Sequence, residues 1–204
     1  MLDGFSLSGL PMLREGRSRA INAENPTGEP GRGGMAASAL GAGRKGSPCL
    51  PWLHAGETVT LAHIHGAGII NHIWCTVTDR TAAGRYVLRD LVLRMYWDGE
   101  ATPSVEAPLG DFFANGFGRG YTVQSLPIVV NPKRGMNCYF PMPFASEARI
   151  TLENQHSGDV QGFFYQVDYT ALDALPENSA AFHAQWRRQR LTAPAQDYVI
   201  VDGI

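Results

Sequence analysis

The strongest pattern in the chain is a two-residue alternation. In YVLRDLVLRMYWDG (86–99), Leu91, Leu93, Met95 and Trp97 share one parity, with Arg94 and Tyr96 on the other. A strand with one buried face gives this pattern. ETVTLAHIHG (57–66) sets Val59, Leu61, His63 and His65 against Thr58, Thr60, Ala62 and Ile64. AGIINHIWCTVTD (67–79) is β-branched and aromatic, and YTVQSLPIVV (121–130), MNCYFPMPF (136–144), ARITLENQ (148–155) and GFFYQVDYTAL (162–172) continue the habit. Seven or so short strands separated by turn residues predict an all-β sandwich or barrel.

Two stretches read as helix. Residues 5–15 predict a short one ending at Gly16. PENSAAFHAQWRRQRL (176–191) has Pro176 and Glu177 at its start, Arg187, Arg188 and Arg190 near its end, and Phe182 and Trp186 four apart. That order suits the helix dipole and puts both rings on one face. It predicts one amphipathic helix packed on the sandwich. DYVIVDGI (197–204) reads as a further strand, expected to dock into a neighbouring copy, since an unpaired β-prone edge invites strand addition. Residues 18–49 are dense in Gly and Pro and predict a long irregular loop, locally basic through Arg17, Arg19, Arg32, Arg44 and Lys45. A loop of this length in a compact domain is functional or disordered. The remaining 1–196 is expected to be one domain.

Residues 91–109 predict a hairpin. For the apolar sets Leu91/Leu93/Met95/Trp97 and Val105/Ala107/Leu109 to share a side, the loop must hold an odd number of residues. Asp98-Gly99-Glu100 satisfies this, with Trp97 opposite Ala101, Leu93 opposite Val105, and Arg94 diagonal to Glu106. Pro103 and Pro108 keep the second strand at an edge or a bulge. Beyond it, GDFFANGFG (110–118) is a Gly-flanked loop holding Asp111, three Phe and Asn115. The rings suit the core, whereas Asp111 and Asn115 suit either turn backbone or a ligand.

Composition narrows the function. The chain has 204 residues, 44% hydrophobic and 18% charged, with a net charge of −2. That length suits one domain with a proper core, and the charge gives no reason to expect nucleic acid or an anionic membrane. Cys49, Cys75 and Cys138 are an odd, widely spaced set, read as reduced thiols of a cytoplasmic protein. No signal peptide and no membrane-spanning segment are expected. His63 and His65 share a strand face, with His72 near, but no carboxylate or Cys stands beside them in a recognisable pattern. No metal and no cofactor are therefore expected. There is no Gly-x-Ser-x-Gly, phosphate loop or HExxH. Carboxylate-pair catalysis stays open on Glu24, Asp98, Glu100, Glu106, Asp111 and Glu153, because sequence spacing does not fix distances across strands.

Several stretches in one order, SRAINAENPTGEPGRGG (18–34), SPCLPWLHAGETVTLAHIHGAGIINHIWCTVT (47–78), LRDLVLRMYWDGEATPSVEAPLGDFFANGFG (88–118), SLPIVVNPKRGMNCYFPMPF (125–144), ITLENQ (150–155) and FHAQWRR (182–188), resemble glycoside hydrolase family 172. The combination of YWDGE, PLGDFF, GMNCYFPMPF and FHAQWRR is specific, and the similarity covers nearly the whole chain. The resemblance implies a β jelly roll, two per family chain with 197–204 standing where the second would start, and assembly into trimers or larger particles. It also implies action on α-linked fructofuranosides or arabinofuranosides by two glutamates in a retaining mechanism. Those glutamates lie in Trp-Gly-Glu and Gly-Thr-Glu-Asp stretches of the family's second half, and neither stretch occurs here, so no catalytic residue carries over.

The resulting expectation is the N-terminal jelly-roll half of an α-furanosidase, working within a homo-oligomer or with a second-half chain that carries the glutamates. The alternative is a non-catalytic jelly roll, structural or carbohydrate-binding, in a symmetric capsid-like homo-oligomer. A third reading builds a new site from Asp98, Asp111 or Glu106. The expected sugar-facing rim is Trp97, Asp98, Asp111, Phe113 and Asn115, with Arg19 and Asn25 from the long loop.

Overall fold

The computed structural model describes residues 15–200, so the helix expected over 5–15 lies outside the described residues but for its last position. In chain order the strands are β1 (Arg17–Asn22), β2 (Leu50–Leu53), β3 (Thr58–His65), β4 (Gly68–Thr76), β5 (Arg80–Thr81), β6 (Gly84–Arg85), β7 (Leu91–Trp97), β8 (Val105–Pro108), β9 (Val123–Gln124), β10 (Ile128–Val130), β11 (Met136–Cys138), β12 (Met142–Phe144), β13 (Glu147–Asn154), β14 (Val160–Ala171) and β15 (Ala184–Gln185). Two single helical turns, α1 (Val87–Asp90) and α2 (Leu109–Phe112), flank the β7–β8 hairpin.

The strands form two main sheets. One runs β1-β14-β4-β11-β10-β9, with β12 also on β4 and β2 on β14, and the other runs β15-β8-β7-β13-β3. The antiparallel pairs are nested in sequence. β1 pairs with β14, β3 with β13, β4 with β12 and β11, and β7 with β8, alternating between the two sheets. Nested pairs wound across two sheets are a jelly roll, the sandwich expected. Its core lies between the sheets around Trp97, Phe113, Phe144 and Phe163. Cys75 and Cys138 are buried thiols there, and burial pushes Cys138 up to about 11 and Cys75 higher still, so neither is a ready nucleophile.

Two β-bulges decide which side chains face out. On β3, Ala62 lies opposite Ile150 and Thr60 opposite Thr151, leaving Leu61 as an extra residue. Parity switches there: Leu61, Ala62 and Ile64 are buried, while Thr58, Thr60, His63 and His65 are exposed. The uninterrupted alternation expected for 57–66, with the histidines on the side of Leu61, is thus corrected. On β4 the same happens at Asn71, between the Tyr169–Ile70 and Asp168–His72 pairs. Ile70, Ile73 and Cys75 point in, leaving His72 and Trp74 half-buried on the outer face.

Two other expectations are corrected. The β7–β8 hairpin keeps the required parity but sits two residues further on, with Leu93 opposite Ala107 and Arg94 directly opposite Glu106. The loop is longer because Asp98 turns away to bond the β12–β13 turn, and the Ser104 hydroxyl donates to Glu100 at 2.5 Å across the remainder. Residues 176–191 form no helix, and Ala184–Gln185 within them are strand. Ala184 and Gln185 pair in parallel with Val105 and Glu106 of β8, through Ala184 N–H to Ser104 O and Trp186 N–H to Glu106 O. Covering the open edge of β8 satisfies backbone groups that a separate helix would leave bare. Residues 197–200 carry no strand and are exposed, and 201–204 lie outside the described residues.

Candidate functional site

The expected rim does not assemble. Trp97 is 1% exposed, and its indole Nε1–H donates to Phe182 O at 2.7 Å. Phe113 is buried edge-on to Phe112, with centroids 5.0 Å apart. Buried Asn115 uses both ends of its amide on the Tyr121 backbone. Asn25 closes the 20–29 turn, donating to Ala20 O and Glu29 O and accepting from Glu29 N–H. Arg19 lies on β1 opposite Tyr169 and donates to Ser18 O. Apart from half-buried Arg19, whose bond is to its chain neighbour's carbonyl, these groups are occupied within the fold and offer a ligand little.

The two aspartates of the rim are likewise engaged. Asp98 Oδ1 accepts from the amides of Ala145 (2.8 Å), Ser146 (2.7 Å) and Glu147 (3.1 Å). Partial burial works to raise its pKa, but these bonds outweigh it and hold the carboxyl below its ordinary value. Asp111 sits 2.8 Å from the Arg89 guanidinium, in ion-pair contact without hydrogen-bond alignment, and accepts from Trp186 Nε1–H at 3.0 Å. Burial pushes its carboxyl above the ordinary value despite Arg89 and Trp186. Arg89 also donates to Gly116 O and lies 5.3 Å from the Trp186 ring centre. Asp111 therefore knits loop 110–118 to the C-terminal segment.

A better-formed site lies on the outer face of the larger sheet. Ladder pairing places Asn22, Gln166, Trp74 and Asn137 in one row across β1, β14, β4 and β11. Above Trp74, Phe164 and Gln166 stands the segment Lys45–Pro48, and Glu24 closes one side, leaving a groove of about 330 Å³. The long loop is pinned here rather than free. The Glu24 carboxylate accepts from Gly34 N–H (2.8 Å) and Ala36 N–H (2.5 Å). Gly46 packs so closely that a Cβ there would stand 2.3 Å from Ala36 O. An aromatic floor, two amides and one charge of each sign make up the lining that small polar ligands use.

Beside the groove, the imidazole of His72 bridges Asp168 and Asn137. Its Nδ1 lies 2.9 Å from Asp168 Oδ2 and its Nε2 3.1 Å from Asn137 Oδ1. Both amide hydrogens of Asn137 go to Val129 O and Gly135 O, so its oxygen must accept from Nε2. With a carboxylate on the other nitrogen, the geometry favours the doubly protonated ring, stacked 4.6 Å from Tyr139. The hydrogen bond to Asp168 raises the His72 pKa against the opposing effect of burial. A raised folded-state pKa stabilises fully below the unfolded value of about 6.5 and fades as pH rises through the folded value. Urea unfolding of wild type and His72→Gln should thus differ most near pH 6, by about 1–3 kcal/mol, and progressively less toward pH 9. A gap independent of pH would show the ring to be neutral.

A third cluster lies on the outer face of the smaller sheet. Glu147 of β13 is opposite His65, and its Oε1 is 3.0 Å from His63 Nε2 and its Oε2 3.9 Å from His65 Nδ1. The sequence hid this carboxylate because it is 82 residues from His65 along the chain, and only the register brings them together.

A family model described as GH172 domain-like matches residues 51–167. The chain belongs to this family. No curated protein matches it. The GH172 match runs from β2 into β14 and so contains Trp74, His72, Asp111 and Glu147, while the loop that roofs the groove precedes it. Among the described residues of this GH172 domain, no helix is long and apolar enough to cross a membrane.

Proposed function

We propose that this GH172 jelly roll presents an α-linked furanoside at the groove over Trp74, as the N-terminal half of a furanosidase whose hydrolytic glutamates lie outside these 204 residues. The observation that carries this reading is the groove itself, a Trp-Phe floor beside Gln166 and Asn22 under a pinned loop, in a chain of a glycoside hydrolase-like family. Aromatic faces stack on the C–H faces of sugar rings, while the side-chain amides of Gln166 and Asn22 bond hydroxyls. The family's Trp-Gly-Glu and Gly-Thr-Glu-Asp stretches are missing from the sequence.

The partner proposed is a homo-oligomer, trimeric or hexameric, or a chain carrying the second half. The non-catalytic, self-assembling alternative draws support from large apolar side chains in the open, Phe117 at 74%, Leu126 at 73% and Trp52 at 49% exposed. Titration with methyl α-arabinofuranoside and methyl α-fructofuranoside, followed by the indole N–H resonances in solution NMR, tests the binding reading. The Trp74 resonance should shift, and Trp74→Ala should weaken binding about tenfold, ~1.4 kcal/mol. Shifts confined to Trp186 near Asp111, unaffected by Trp74→Ala, would contradict it.

A further inference from the structure

We propose that His63, His65 and Glu147 form a binding site for a zinc-class divalent cation, clipping the edge strand β3 to β13. The bulge at Leu61 carries the argument. Without it the two imidazoles would keep the parity of Leu61 and point into the core; with it they stand on the outer face beside Glu147. The three donor atoms, His63 Nε2, His65 Nδ1 and a Glu147 oxygen, all lie within 4.8 Å of one another. Neighbouring ligands of an ion with ~2.1 Å bonds stand ~3.0–3.4 Å apart, so small rotations of exposed rings close the set. The rings already flank the carboxylate, with centroids 4.3 Å apart.

The surroundings fit this use. Arg149, opposite His63, is drawn away and stacks 3.8 Å over Tyr96, so its charge does not fill the site. The Glu147 backbone is fixed by its N–H to Asp98, which sets the carboxylate's starting point. By contrast, His72 and His156 have both ring nitrogens bonded within the fold. Two imidazoles and one carboxylate select zinc, cobalt, nickel or copper over magnesium and calcium, which prefer all-oxygen shells. Three protein ligands leave a fourth position to water or to a group from another molecule. The bound ion would tie the outermost strand of the smaller sheet to its neighbour.

The test uses untagged, chelator-treated protein. Calorimetric titration with Zn²⁺ should give one ion per chain, and Co²⁺ should give the visible d–d bands of a low-coordinate site. Zn²⁺ should raise the unfolding midpoint, since it binds the folded state preferentially. His65→Ala and Glu147→Gln should each weaken binding at least about tenfold and abolish the midpoint shift, with unchanged circular dichroism. His54→Ala, whose ring pairs with Asp159 elsewhere, should bind as wild type. No Zn²⁺ uptake at 100 μM (about −5.5 kcal/mol at that affinity) would overturn the proposal, as would one-to-one binding that survives both His63→Ala and His65→Ala.

Discussion

Trp97→Ala lowers the unfolding free energy by about 3–5 kcal/mol, the largest effect expected of any single substitution in the sandwich. The indole is 1% exposed on the inner face of β7, between Ala148 of β13 and the loop leading to β8. Alanine leaves a cavity that the flanking β-sheet cannot close. It also removes the donor that holds Phe182 O at 2.7 Å, loosening the 182–186 segment that covers the edge of β8. For a domain of this size the loss is a midpoint drop of about 6–20 °C. Trp97→Phe separates the two contributions, because it keeps most of the ring volume and loses the N–H, at a cost of about 1–3 kcal/mol. Urea unfolding measures both. A loss below about 1 kcal/mol for Trp97→Ala, together with weakened sugar binding, would return Trp97 to the ligand-facing rim read from the sequence.

How much of this was legible follows from the range of each interaction. Residues 91–97 and 162–172 read as strands because alternation is local, and Trp97 shares its parity with Leu91, Leu93 and Met95. That parity points to the core, whereas the nearby Asp-Gly turn and aromatic run resemble a ligand-facing rim. The bulges at Leu61 and Asn71 were hidden, since a single extra residue leaves no composition signal, and they decide where His63, His65 and His72 face. Asp168 and Glu147 meet their histidines only through register, across 96 and 82 positions of the chain. The 176–191 stretch has good helix termini, but the open edge of β8 takes its backbone instead: tertiary pairing overrides local propensity. Gly and Pro density marks the long 18–49 loop, but β1 at its start and the tethers at Glu24 and Asn25 depend on partners that local composition does not reveal.

The second large effect concerns catalysis. A retaining glycosidase needs two carboxyl groups ~5–5.5 Å apart, one of them holding a proton. Among the described residues, Asp111 is the one acid whose carboxyl is pushed up, and Arg89 and Trp186 enclose it. Glu106 and Glu153 share one arginine, Arg94, which bonds a carboxylate oxygen of each. Hydrogen bonding to Arg94 keeps Glu153 below its ordinary value, so it does not serve as the proton donor. Asp98, Asp159 and Glu24 are bound to backbone amides. With the hydrolytic glutamates proposed to lie elsewhere, these acids alone are predicted not to supply the ~10⁶-fold or greater acceleration typical of enzymes.

Release of 4-nitrophenol from 4-nitrophenyl α-arabinofuranoside by the purified chain, with Asp111→Asn and Glu106→Gln alongside, is the decisive measurement. The rate should equal that of buffer for all three proteins. Sustained turnover by the unsubstituted chain, lost in either variant, would mean that these residues build a glycosidase of their own.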